Sequence, residues 1–242
     1  HYNGQFERSF ETEVAGARMR APMMDIHTVA AGGGSILFFR DGRLQVGPES
    51  AGANPGPACY RRGGPLTLTD CNVMLGKLQP LHFPRVFGPN ADQPIDVEAV
   101  EKGFQEFAEE ISIKTGNKPL SGVELAEGFL RIAVANMANA IKKISVQRGY
   151  DVTKYALQCF GGAGGQHACL VADALGMESI FIHPLAGVLS AYGMGLAEIR
   201  CMKESQFERP LSAYEEAKVM LSELSDKATR QVVSQGVGCD DI

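Results

Sequence analysis

The 242-residue sequence has no C-x-x-C pair among its six cysteines, no apolar run of membrane length and no surplus of basic charge. Each absence removes a class of function. Without C-x-x-C spacing a zinc knuckle has no ligand set, and at this length a disulfide framework is not expected. A membrane helix takes ~18 or more consecutive apolar residues, and the longest apolar stretches here are broken by Arg, Lys or Gln. With 23 basic against 28 acidic residues the net charge is −5, the wrong sign for gripping a phosphate backbone. A G-x-x-x-x-G-K-[ST] phosphate loop and a G-x-S-x-G nucleophile elbow are also missing. The chain opens His1-Tyr2-Asn3-Gly4, without an initiator Met or a basic-then-apolar signal peptide. Both ends read as cuts through a longer protein. The cytoplasm is the expected compartment, with neither nucleic acid nor membrane as a partner.

What is present suits a folded domain. Hydrophobic residues make up 45% of the chain and charged residues 21%, which is ordinary for a globular protein and enough for a sizeable core. The β-branched run Ile26–Ala30 reads as a strand, Gly32-Gly33-Gly34-Ser35 as a loop, and Ile36–Arg40 and Arg43–Val46 as two further strands. Asp41-Gly42 between the last two is a two-residue hairpin turn, so the three strands form an antiparallel meander. Glycines and prolines from Gly47 to Gly64 predict a loop, and Thr69 or Asp70 is placed to cap a short helix through Leu78. Val97, Val100, Phe104, Phe107 and Ile111 recur at helical spacing over Asp96–Thr115, with Gly116 as the stop. Ser121-x-x-Glu124 is a capping box opening a second long helix that ends near Gly149. Strand Tyr155–Phe160, helix His167–Leu175, strand Ser179–Ile182 and helix Gly187–Ile199 follow. Ser212-x-x-Glu215 opens a last helix, to Gln235, with an apolar stripe from Ala213 to Val232.

Three antiparallel strands followed by alternating α and β units is the order of a ribonuclease-H-like α/β lobe. Actin-like and sugar-kinase-type ATPases pair two such lobes around a nucleotide. A split into separate all-β and α domains is the alternative. On the first reading, residues 1–200 form one lobe, and 201–242 form a linker and C-terminal helix leading into an absent part.

Two glycine loops are the places where chemistry can sit. In Gly32, Gly33, Gly34 and Ser35, backbone N–H groups can converge on an anion without Cβ obstruction; a loose hairpin loop is the alternative. Gly161, Gly162, Ala163, Gly164 and Gly165 join a strand to a helix, and a helix N-terminus favours phosphate; a tight turn is the alternative. The second loop lacks the dinucleotide pattern, since His167 stands where Gly or Ala is wanted. Asp25, Glu49 and Asp70 are the acidic candidates for magnesium or water, and Asp70 reads equally as a helix cap. Asn72 either reaches the site or faces solvent. His27 reads as structural, His167 as a loop-lining or exposed residue, and the Cys59-Tyr60 pair has no assignable base.

These segments together resemble the hydantoinase A/5-oxoprolinase family. The resemblance is carried by Asp25-Ile-His-Thr-Val-Ala-Ala-Gly-Gly-Gly-Ser35, Val46-Gly-Pro-Glu-Ser-Ala-Gly-Ala-Asn-Pro-Gly-Pro-Ala-Cys-Tyr60, Thr67–Leu78 and Cys159-Phe-Gly-Gly-Ala-Gly-Gly-Gln-His-Ala168. It runs from about residue 1 to about residue 210, and Phe83–Pro94 looks closer to the 5-oxoprolinase branch than to the hydantoinase or ketone carboxylase branches. The resemblance implies an ATP-dependent amidohydrolase that opens a lactam. Phosphorylating the lactam oxygen creates a leaving group and lets water attack. It assigns phosphate to Gly32–Ser35, the ribose or adenine end to Gly161–Gly165, and metal or water to Asp25 and Asp70. It implies ATP and magnesium, with potassium as a second candidate ion. The family's own D-x-G-[GT]-T phosphate loop is absent from this chain, so the implied partners are an N-terminal ATPase lobe and a hydantoinase B-type domain or subunit. A carboxylase subunit of the same family and a non-catalytic scaffold lobe are the competing readings.

Overall fold

The computed structural model describes residues 31–242 throughout and, before them, 8–9, 12–14, 17–19, 23–24 and 29. It is a mixed α/β structure that divides into two compact units, His1–Gly187 and Val188–Ile242. Of the first expected strand, Ile26, His27, Thr28 and Ala30 lie outside the described residues, as does Asp25, and Val29 is exposed and in no strand. The short strands Arg8–Ser9 (β1) and Met23–Met24 (β4) pair antiparallel, as do Thr12–Val14 (β2) and Ala17–Met19 (β3).

The expected hairpin is present and longer than its sequence signals. Ser35–Arg40 (β5) pairs antiparallel with Arg43–Ser50 (β6). Asp41 and Gly42 turn the chain with φ of 52° and 72°, the double positive φ that a primed turn requires. The cross-strand pair Leu37 and Val46 is buried, which sets the register by placing one face on the core. At its other end the hairpin is shifted between Ser35 and Leu37, and Leu37 N–H instead donates to Leu66 O at 3.0 Å. That bond draws in the segment leading to the next helix.

Leu68–Met74 (α1) is buried from Leu68 to Val73, on all sides rather than along one stripe. It touches β5 and both long helices. Its N-cap is Thr67; Thr69 and Asp70, the residues expected to cap it, stand in its first turn. Val97–Thr115 (α2) starts as its sequence predicts, with Asp96 accepting from Ala99 N–H, and stops at Gly116 in the left-handed conformation. Gly122–Ile144 (α3) is opened by the Ser121–Glu124 capping box and ends five residues before Gly149, a short 3-10 turn filling the gap. Phe104 and Phe129 from these helices are fully buried, and Phe107 stacks on Phe129 at 5.7 Å. Burying each such ring contributes ~2–3 kcal/mol.

Ala156–Cys159 (β7), Ala168–Leu175 (α4) and Ser179–Ile182 (β8) form a β-α-β unit with parallel strands, Ala156 opposite Ser179 and Cys159 opposite Ile182. In the second unit, Leu189–Leu196 (α5) has no buried residue. Tyr214–Val233 (α6) follows a 3-10 turn at Leu211–Ala213, so Ser212 does not open it through a side-chain cap. Its stripe is half-buried at Ala217, Met220, Leu224 and Ala228 and buried at Val232.

Asp70 holds this arrangement together at α1. It is fully buried, yet Oδ1 accepts from Cys59 N–H at 2.9 Å, and Oδ2 from Ala58 N–H at 3.1 Å, Thr67 N–H at 2.8 Å and Thr67 Oγ1 at 2.9 Å. Burial pushes its carboxyl upward while these donors pull it back. Cys59, beside it, has its thiol raised by burial and by the Asp70 charge, which disfavours the thiolate. Replacing Asp70 by Ala strands four donors, and at ~1–3 kcal/mol for each buried orphan the loss should reach at least about 3 kcal/mol, measured as a fall in the denaturant midpoint. A midpoint within error of the wild type would show that the carboxylate does not anchor the helix.

Candidate functional site: a cavity between two glycine loops

The two loops flagged in the sequence meet. A cavity of ≈ 290 Å³ is walled by Ala31 and Gly32 from the first loop and by Ala163, Gly164 and His167 from the second. Met137 and Ile141 of α3, Leu157 to Cys159 of β7 with Phe160 after it, and Ala168 and Val171 of α4 complete it. That volume is at the lower edge of the ~300–1,000 Å³ typical of ligand pockets, and mostly apolar walls with a few polar groups are the usual pattern.

The first loop is held in shape by its own residues. Gly32 N–H donates to Ser35 Oγ, and Ser35 N–H donates to Gly32 O, both at 3.0 Å. Ser35 is buried, so its hydroxyl closes the loop. Gly33 O accepts from Thr69 N–H at 2.8 Å and Thr69 Oγ1 at 2.9 Å, and Gly34 O accepts from Ala51 N–H at 2.9 Å. These bonds tie carbonyls down, while the N–H groups of Gly33 and Gly34 have no acceptor among the described residues.

The glycines divide by what a side chain would meet. A Cβ on Gly33 would lie 2.7 Å from Thr69 Oγ1 and 3.4 Å from the Ala163 methyl; one on Gly34 would lie 2.9 Å from Ser50 Oγ; one on Gly164 would lie 2.8 Å from Cys159 Sγ. At Gly33 and Gly164 the nearest atoms met belong to buried side chains, whereas at Gly34 the atom is the hydroxyl of exposed Ser50, and Gly33 is where the two loops approach. Around Gly32, Gly162 and Gly165 a Cβ would meet nothing within 4 Å. Gly161 has equal space but a φ of +88°, which a side chain would strain.

The acidic candidates do not gather here. Asp25 lies outside the described residues. Asp70 has both oxygens engaged and does not line the cavity. Glu49 pairs on the surface of the hairpin with Arg40, which reaches one of its oxygens through both terminal nitrogens at 3.1 Å. No group of three or more His, Cys, Asp and Glu side chains suited to a metal occurs among the described residues.

Three polar residues take their place. Thr69 reaches the first loop. Asn72, fully buried rather than facing solvent, donates Nδ2 to Gln166 Oε1 at 2.6 Å and sits 3.5 Å from His167 Nε2. His167 is buried and lines the cavity. The donor and acceptor roles in that contact follow the imidazole tautomer. Sequence reasoning passed over Thr69 and Gln166 because their partners lie 36 and 94 residues away; the only local hint was a buried helix rich in small polar residues.

Burial, and secondarily the charge of Lys77, lowers the His167 pKa to about 4. The unfolded chain would bind that proton near the ordinary value of ~6.5. Between these values unfolding takes up a proton, so stability is complete above the window and falls as pH drops through it. His167→Phe should therefore flatten the decline in thermal midpoint between pH 7 and pH 5. Parallel profiles for variant and wild type would exclude a buried neutral imidazole.

Comparison with known proteins gives the family. A hydantoinase/oxoprolinase family model matches residues 1–203. The 5-oxoprolinase of Dictyostelium discoideum is 45% identical over 100% of this chain, and 5-oxoprolinase 1 of Arabidopsis thaliana is 47% identical over 82% of it. This chain spans 19% and 16% of those relatives' lengths. The crystal structure of the ATP-dependent caprolactamase from Pseudomonas jessenii superposes with a TM-score of 0.71 at 32% identity, over 92% of this chain and 32% of that one. With the match running through both glycine loops, the chain belongs to the hydantoinase/oxoprolinase family.

Proposed function

We propose that this chain is part of an ATP-dependent amidohydrolase that converts 5-oxo-L-proline, ATP and water to L-glutamate, ADP and phosphate, and that it supplies the loops that hold the nucleotide. The observation that carries this reading is the meeting of two glycine loops, 130 residues apart in sequence (Gly33 and Ala163), on one cavity. The β5–β6 hairpin followed by the β7-α4-β8 unit supports reading residues 1–200 as the second ribonuclease-H-like lobe of an actin-like ATPase. Residues 201–242 are then the linker and helix into the next part.

The residues fit a nucleoside phosphate. ATP supplies the phosphoryl group that turns the lactam oxygen into a leaving group. Gly32 lines the cavity with clearance for a phosphate, and the neighbouring N–H groups of Gly33 and Gly34, which have no acceptor among the described residues, are assigned to it. Gly162 and Gly165 leave the same clearance at the second loop, where Phe160, Ala163 and Gly164 border the nucleoside end. No described carboxylate lines the cavity, so no step is assigned to magnesium or potassium. The lactam and its attacking water are assigned to the remaining four fifths of the polypeptide, which would include an N-terminal ATPase lobe and a hydantoinase B-type domain or subunit.

A different lactam is the second reading, favoured by the caprolactamase superposition. The higher identity to 5-oxoprolinases places it behind 5-oxoproline. The cytoplasm fits six cysteines that are all unpaired. Among the described residues no helix is long and apolar enough to cross a membrane.

ATP hydrolysis by the full-length polypeptide should rise on adding 5-oxo-L-proline. Gly32→Asp puts a carboxylate into open space, so the variant should fold, yet like-charge repulsion should raise the KM for ATP at least about tenfold. Stimulation by ε-caprolactam alone would move the assignment to the second reading. Stimulation by a ketone with bicarbonate would move it to the carboxylase branch. An unchanged KM in Gly32→Asp would remove phosphate from the first loop.

A further inference from the structure

One face of α1 holds both glycine loops. Thr69 binds the carbonyl of Gly33 through its N–H and its hydroxyl. Asn72, three residues on and therefore on the same side of the helix, binds Gln166 at the end of the second loop. The loops also approach each other directly at Gly33, where a Cβ would stand 3.4 Å from the Ala163 methyl. Two side chains of a buried helix, which Asp70 anchors at its first turn, therefore bridge to both loops.

The Asn72 cluster is poorly built for stability alone. Asn72 Oδ1 and His167 Nδ1 are buried and lack a partner among the described residues. An unpaired buried polar atom costs free energy that an apolar side chain of similar size would not. A polar contact kept under that cost serves to fix one geometry among several packings of similar energy. The bond to Gln166 is short and direct, and its Asn72 end is fully buried, so it can act as such a fixed length.

We infer that Asn72 is a positioning residue for nucleotide binding: through Gln166 it sets the gap between the two glycine loops, and with it the fit of a nucleoside triphosphate. The inference rests on the nucleotide reading above and adds the element that tunes the site. Asn72 touches neither the cavity nor any reacting atom, so it acts through the loop.

The test is a double-mutant cycle in the full-length polypeptide, with Asn72→Ala, Gln166→Ala and the pair. Affinity for a non-hydrolysable ATP analogue is measured by calorimetry, with the thermal midpoint recorded beside it. Each single change should weaken binding about fivefold, the worth of one hydrogen bond. The pair should also weaken it about fivefold rather than about twenty-five-fold, because both changes cut one link. The midpoint should not follow the affinity, since each change also removes a buried polar group or frees a half-exposed one. Single effects below about twofold, or effects that multiply in the pair, would overturn the inference. If Asn72→Ala does not fold, Gln166→Ala, at a half-exposed loop position, decides the matter by the same limit. A wild type that does not bind the analogue would instead sink the nucleotide reading itself.

Discussion

A carboxylate shut away from water, Asp70, is the point from which the site hangs. Its two oxygens collect donors from the turn at Ala58–Tyr60 and from Thr67, and this joins a proline-rich loop to the start of α1. A charge at that depth is tolerable only because four donors replace its water. The hydrogen bonds also orient α1, whose exposed rim is nil and whose polar side chains must all point somewhere definite. Thr69 points to one glycine loop and Asn72 to the other. Loosening the carboxylate would therefore disturb the cavity without touching any residue that lines it.

The remaining packing supports the same helix from the other side. α2 and α3 place Phe104, Phe129, Leu125 and Val100 in the core, and both helices touch α1. α3 also lines the cavity through Met137 and Ile141. The apolar wall of the pocket is thus a continuation of the hydrophobic core, while its polar edge belongs to the loops. The surface pair Arg40–Glu49, by contrast, is about half exposed on both sides and contributes at most ~1 kcal/mol. It decides nothing about the site.

Much of this was legible locally. Asp96 and Gly116 mark the ends of α2 because a carboxylate at an N-cap and a glycine in the left-handed conformation are chemical requirements of those positions. Asp41-Gly42 and Ser121–Glu124 work the same way. Both glycine loops could be singled out because a run of glycines has few other uses. What the sequence could not show is distance in space. Asn72 and Gln166 carry no pattern that joins them, and His167 looks as suited to solvent as to a buried wall. Asp70 was open to two readings because an acidic residue in the first turn of a helix looks the same whether it binds a metal or backbone amides. The end of α3, and the start of α6 without a side-chain cap, were misplaced where weak local signals gave way to a 3-10 turn.

The division among the glycines has a consequence for descent. Gly33 and Gly164 are crowded by buried side chains of the protein itself, so they should persist in relatives that keep the fold. Gly32, Gly162 and Gly165 face open space and are demanded only by whatever enters it. In a lineage that keeps the scaffold and abandons the ligand, these three positions would be the first to acquire side chains. Their substitution beside an intact Gly33 would be the written record of a lost activity.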